Sequence, residues 1–250
     1  MEKHFIPDKT YSDEEYQKLV RTVCLELNRT LVANKSVNSF LSGSTGILVL
    51  LHSNSIICGN VGDSRAGIVS VPTLGTPKSN LERSQSGIDL LNTAEIDLQM
   101  MSTDHTPDLE GERRRVLQAG GVVMPCRDSF GNFVGPPRIW DKNEESPGLM
   151  MSRSFGDQLG HRVGMIAEPE VRVFQKGHSD RMVILGSDGL WEKLPQASIL
   201  SICSKYLQGP NSAEKICKEL VAQAAKKWDK VRYSGLTFRN AISTEMISQR

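Results

Sequence analysis

Apolar positions recur along this chain at two spacings, one helical and one strand-like. Behind Ser12-Asp13-Glu14-Glu15, which has the form of a capping box, Tyr16, Leu19, Val20, Val23, Leu27 and Leu31 follow helical intervals. They predict an amphipathic helix that ends near Ala33. Short unbroken apolar runs come next, at 47–51, 56–58 and 66–69, separated by polar or glycine-containing turns. Three strands joined by tight turns fit that pattern, an antiparallel meander. Residues 72–87 are polar and rich in Gly, Pro and Ser, and read as a surface loop. Asp108 is placed to cap a charged helix through Glu112, Arg113, Val116 and Leu117, with Gly120-Gly121 as its stop. A hairpin is expected over 122–134 around the turn 128–131, then an irregular loop over 136–147 and a helical or turn segment over 148–157. A strand over 167–174 is expected to pair with the run 182–185. Two helices close the pattern. One covers 198–207, with Ile199, Ile202, Cys203, Tyr206 and Leu207 on its apolar side. The other covers 211–228 and buries Ile216, Leu220, Val221 and Ala224.

The run 182–185 is too short for a helix and reads as a buried strand. It stops at Gly186-Ser187 and delivers Asp188, Gly189, Leu190, Trp191 and Glu192. A carboxylate at the end of a rigid strand is how a protein presents a ligand to a hard cation. Asp188-Gly189 is also an ordinary turn, and Ser187 or Asp188 an ordinary helix cap, and such turns are the commoner case.

Composition narrows the classes. At 38% hydrophobic and 24% charged, with a net charge of +1, the chain has no bulk attraction for nucleic acid or a membrane surface. Its one basic run, Arg113-Arg114-Arg115, reads as a solvated helix face. The five cysteines, Cys24, Cys58, Cys126, Cys203 and Cys217, form no Cys-x-x-Cys and suggest buried thiols in a reducing compartment, cytosolic or nuclear. No apolar run approaches the roughly 18 residues of a membrane span, and no signal-peptide pattern opens the chain.

Several motifs gain meaning from their order. Ser42-Gly-Ser-Thr45, Asn60-Val-Gly-Asp-Ser-Arg65, Asp104-His105-x-Pro107, Gly120-Gly-Val122, Pro147-Gly-Leu-Met-Met-Ser-Arg-Ser-Phe-Gly-Asp157, Ala167-Glu-Pro-Glu-Val171 and Leu185-Gly-Ser-Asp-Gly-Leu-Trp191 stand in series. The series resembles that of the metal-dependent protein serine/threonine phosphatases of type 2C (the PPM family), over about 12–228. Pro137-x-x-Trp140 with Pro147-Gly148 resembles the plant and protist branch. The resemblance implies an α+β fold, two mostly antiparallel sheets packed as a sandwich and flanked by helices. It also implies a binuclear Mn²⁺ or Mg²⁺ site that activates a water for attack on phosphoserine or phosphothreonine, with no covalent phosphoenzyme. Phosphoproteins are the implied substrates, and a monomer is expected. By motif matching, Asp188 corresponds to a ligand of the metal pair. Asp63, Asp188 and Glu192 match a third, weaker metal position, with Glu192 where the family has Asp. Arg153, Ser154 and Asp157 match a segment that supports the site, and Asp104-His105 reads as a turn held by side-chain hydrogen bonds rather than an acid/base pair.

The sequence departs from the family at both ends. It contains no Asp-Gly-His, and residues 233–246 hold no Asp-Asp or Asp-Asn pair; Asp229 and Glu245 lie in other contexts. Residues 2–6 resemble the helix that follows the absent motif. The expectation is a single phosphatase-like domain over 1–230, incomplete at both ends and lacking terminal strands, with a divergent tail over 231–250. No catalytic acid or base is assigned. A phosphatase is the first reading. The alternative is a truncated or divergent pseudophosphatase that binds partners without turnover.

Overall fold

The computed structural model describes residues 11–52, 54–71, 96–207, 209–232 and 246–248, with side chains through 228. The expected loop at 72–87, the segment 2–6 and most of the tail lie outside the described residues. Helices and antiparallel sheets are mixed along the chain, an α+β fold. In order, the first half holds α1 (Asp13–Ala33), β1 (Gly43–Ser44), β2 (Gly46–His52), β3 (Ser55–Val61), β4 (Arg65–Ser70), β5 (Asp97–Met100) and α2 (Glu110–Gln118). Next come β6 (Val122–Arg127), β7 (Phe133–Trp140), β8 (Pro147–Leu149), β9 (Phe155–Gly156), α3 (Gln158–His161) and β10 (Glu170–Gln175). The last are β11 (Asp180–Gly186), α4 (Asp188–Trp191), α5 (Gln196–Tyr206), α6 (Ser212–Arg232) and β12 (Met246–Ser248). They gather into two compact units, one from Met1–Arg65 and Ser102–Gln175, the other from Ala66–Met101 and Lys176–Arg250.

The first unit is built on the sheet β10-β3-β2. Ile56, Ile57 and Cys58 of β3 are almost fully buried, so β3 takes the centre and needs a partner on each side. β2 supplies one through a tight hairpin and β10 the other, with Glu170 opposite Asn60 and Gln175 opposite Ser55. The expected pairing of the 167–174 strand with 182–185 therefore does not occur. The expected meander also ends after two strands, because β4 joins the sheet of the other unit.

Ser12 and Glu15 do form the capping box of α1, each accepting the other's backbone N–H. The helix lays Tyr16, Val20 and Cys24 on Ile57, Val61, Phe155 and Ala167. Each such side chain, fully buried, stabilises by roughly 1.5–3 kcal/mol. Leu27, expected on this face, is 53% exposed. The next inward position on the line 16, 20, 24 belongs to Asn28, whose Oδ1 accepts the N–H of Gly156.

The hairpin β6–β7 turns at Asp128, as expected, but β7 runs on through the prolines to Trp140, where a loop was expected. Pro136 and Pro137 fall where the register shifts between Met124 and Cys126, a bulge at which no ladder donor is required. The segment 148–157 is extended rather than helical: Gly148, Gly156 and Asp157 have positive φ, which breaks a helix, and Arg153 bridges to Ile166. α2 begins after Leu109, and Asp108 is not its cap.

In the second unit the sheet order is β12-β11-β4-β5. Met182 and Ile184 of β11 pack with Leu190, Trp191 and Leu194, and with Ile199, Ile202 and Cys203 of α5 and Ile216, Leu220 and Ala224 of α6. The two C-terminal helices thus turn the expected faces inward, with Tyr206, Leu207 and Val221 only half-buried.

Candidate active site

Asp188 stands where β11 ends and α4 begins, in the second unit. The turn is fixed from both sides. Leu190 and Trp191 are buried in the core, and the Trp191 indole donates to the carbonyl of Gly186 at 2.9 Å. The Trp228 indole of α6 donates to the carbonyl of Gly189, also at 2.9 Å, and Lys193 stacks over the Trp228 ring. Asp188 is left on the first turn of α4, its Oδ1 accepting the N–H of Gly189 at 2.7 Å. Ser187 makes no side-chain cap, and its buried Oγ has no hydrogen-bond partner. One turn on, Glu192 is exposed, with Oε2 3.7 Å from Lys193 Nζ. The structure therefore brings Asp188 and Glu192 onto one helical turn.

Asp63 belongs to the first unit, in the turn after β3, where it is half-buried. Gly62 gives that turn a φ of +107°, and a Cβ there would lie 2.2 Å from Thr45 Cγ2 and 3.1 Å from the Arg153 carbonyl oxygen. The Thr45 and Ser64 hydroxyls meet at 2.9 Å. In this way the Ser42-Gly-Ser-Thr45, Gly62-Asp-Ser-Arg65 and Ser152-Arg153 segments converge.

Asp104 grips Arg65 with both carboxylate oxygens, at 2.7 and 2.6 Å. His105 accepts the Gly62 N–H at Nδ1, so the neutral ring carries its proton on Nε2. Burial, and next the Arg153 charge, lower the His105 pKa to about 4. Asp104 and His105 are thus held by side-chain hydrogen bonds, as expected, but they lie in irregular backbone just before the turn at 107–108 rather than in the turn itself.

A residue that sequence reasoning passed over holds this region together. Glu112 of α2 is buried and receives Arg115 at 2.8 and 2.7 Å, Arg153 at 2.7 Å and the Ser152 hydroxyl at 2.5 Å. Burial would raise its pKa, but the hydrogen bonds from Arg115, Arg153 and Ser152 outweigh that and pull it far below the carboxylate range. Arg115 also donates to the carbonyls of Gly164 and Ser152, and Arg153 to that of Glu168. So Arg115 is not on a solvated face, as the basic run suggested. Asp157, at the end of the same segment, is buried with its N–H donating to the Ser42 carbonyl.

Among the described residues of either unit, no three His, Cys, Asp or Glu side chains gather in a group that could hold a metal ion. Asp188 and Glu192 alone provide two carboxylates, fewer than a hard divalent cation demands of a site that must fix it. Within either unit by itself the described residues supply too few carboxylates to hold a metal pair.

Residues 8–228 match the family model described as Protein phosphatase 2C. The probable protein phosphatase 2C 73 of Arabidopsis thaliana is 30% identical over 209 residues, 84% of this chain and 49% of that protein. The probable protein phosphatase 2C 61 of the same plant is 27% identical over 224 residues, 89% of this chain and 62% of that protein. This chain thus spans between 49% and 62% of the length of these curated relatives. The solved serine-threonine phosphatase 2C of Toxoplasma gondii superposes with a TM-score of 0.62 at 22% identity, covering 86% of this chain and 62% of that one. That likeness speaks for the fold, and the family match, which takes in every motif of the ordered series, speaks for lineage: the chain belongs to the metal-dependent protein phosphatase 2C family.

Proposed function

We propose that the chain acts as a protein serine/threonine phosphatase, removing phosphate from phosphoserine and phosphothreonine of phosphoprotein substrates with Mn²⁺ or Mg²⁺. The observation that carries the reading is the family match over residues 8–228, which includes the strand-to-helix turn at Asp188. That turn favours the role proposed for Asp188, a metal ligand, because buried Leu190 and Trp191 fix the backbone on which the carboxylate stands. Asp63 and Glu192 are proposed as further metal ligands on the motif resemblance alone. A monomer in the cytosol or nucleus belongs to the same proposal, the compartment supported by five cysteines of which none is in a disulfide.

Hydrolysis of a phosphothreonine peptide, with and without Mn²⁺, tests it beside Asp188→Ala. The expected result is metal-dependent turnover that Asp188→Ala abolishes while the protein stays folded. No turnover from folded chain, or turnover indifferent to Asp188→Ala, overturns the proposal and favours a binding protein of phosphatase lineage.

A further inference from the structure

A shallow cavity of about 340 Å³ in the first unit is lined by Thr103, His105, Leu109, Gly111, Glu112, Arg153, Glu170 and Arg172. Three kinds of donor converge on it. The first is the N-terminus of α2, a nine-residue helix whose cap, Leu109, offers no side-chain acceptor to the first-turn N–H groups. The second is His105. Its side chain is only 4% exposed, its proton sits on Nε2, and that Nε2 has no hydrogen-bond partner. The third is Arg172, which holds Glu170 Oε1 through Nε and Nη2 and is 42% exposed.

The lining side chains balance in charge, the guanidiniums of Arg153 and Arg172 against the carboxylates of Glu112 and Glu170, so the unused donors decide the sign of a ligand. A helix N-terminus adds partial positive charge. A cation is disfavoured because His105 presents N–H, not a lone pair. The carboxylate nearest the unused donor is Glu170 Oε2, 3.7 Å from His105 Nε2, too far for a hydrogen bond. It covers the donor without satisfying it.

We propose that this cavity binds a small oxyanion, carboxylate or phosphate, between the N-terminus of α2, the Nε2–H of His105 and the guanidinium of Arg172. The incoming oxygen displaces Glu170 Oε2 outward and takes the hydrogen bond that Glu170 does not make. The site lies within one unit and does not depend on the proposed phosphatase activity.

The test is a titration of the full, isotope-labelled chain followed by NMR, with inorganic phosphate and acetate in separate arms and chloride at matched ionic strength as the control. Saturable shifts of the Gly111 and Glu112 amides and of the His105 Nε2–H are expected. Response to phosphate alone assigns a tetrahedral oxyanion, and response to both assigns carboxylates as well. A Cβ at Gly111 would meet nothing within 4 Å, so Gly111→Glu is expected to fold while placing a carboxylate at the helix terminus. It should weaken binding by about tenfold, and Arg172→Gln by about fivefold, while Glu170→Gln tightens it by about fivefold, as charge-assisted hydrogen bonds require. Absence of saturable shifts, equal shifts with chloride, or unchanged binding in Gly111→Glu overturns the proposal.

Discussion

Replacing Glu112 by Gln tests how the first unit holds its Arg153 segment. The carboxylate receives Arg115 at 2.8 and 2.7 Å, Arg153 at 2.7 Å and Ser152 at 2.5 Å, with a side chain only 8% exposed. Gln keeps the shape and one acceptor oxygen. It removes the charge and turns an amide NH₂ toward guanidinium donors. Two half-buried cations then face no anion, and breaking a pair whose carboxylate is buried costs up to roughly 3–5 kcal/mol. Urea denaturation of wild type, Glu112→Gln and the exposed control Glu110→Gln measures it through the shift in midpoint at constant slope. The control should change stability by no more than about 0.5 kcal/mol. The same group sets an acid limb. Because the Glu112 pKa is depressed in the folded protein, its contribution is complete above the ordinary value of 4.5 and is lost as pH falls below it. Glu112→Gln should therefore flatten the stability profile below that pH. A loss under about 1 kcal/mol, the size of an exposed ion pair, would refute the reasoning.

Other consequences are as direct. Since the His105 pKa falls from 6.5 to about 4 on folding, stability should be full above 6.5 and decline by ~3 kcal/mol as pH drops between those values. Melting temperatures across that window check it, and a flat profile counts against a neutral buried His105. Gly62→Ala, at a φ of +107° and 2.2 Å from Thr45 Cγ2, should cost at least about 1–3 kcal/mol. Gly111→Ala, in an open helical position, should be neutral or stabilising by about 0.5–1 kcal/mol, and thermal melts of the two variants separate the cases. Burial raises the thiol pKa of Cys24 and Cys203 to about 11 and of Cys58 to about 12, so a thiol reagent at pH 8 should label half-buried Cys126 and Cys217 first. Early modification of Cys58, followed by mass spectrometry, would contradict its place at the centre of the sheet.

Local order was legible where one segment settles its own structure. The Ser12–Glu15 box, the apolar stripes of α5 and α6 and the buried run in β11 depend on neighbours a few residues away. Pairing was not. Residues 170–175 and 180–186 are close in sequence and alike in pattern, and consecutive strands often pair. Here β10 goes instead to β3, because a strand buried as deeply as β3 needs a second edge covered, and nothing near 170 in the sequence announces that need. The prolines of β7 misled for a related reason: they are excluded from a regular ladder but not from a bulge, and a bulge is visible only once its partner strand is known.

The same distinction runs through the site. Motif matching groups Asp188 with Glu192, and the structure sets both on one helical turn. Glu112 has a plain spacing, three residues from Arg115, and the spacing misleads. On an exposed helix such a pair is a weak surface contact worth about 0.2–0.5 kcal/mol. What changes its meaning is Ser152 and Arg153, about 40 residues away, which close over the carboxylate and make it the anchor for a motif that sequence reading had assigned only a supporting part. An ordered motif series can name the Arg153 segment, but what that segment holds follows from the buried charge it meets. The stability of Glu112→Gln is therefore a sharper test of this unit's architecture than substitution within the motif itself.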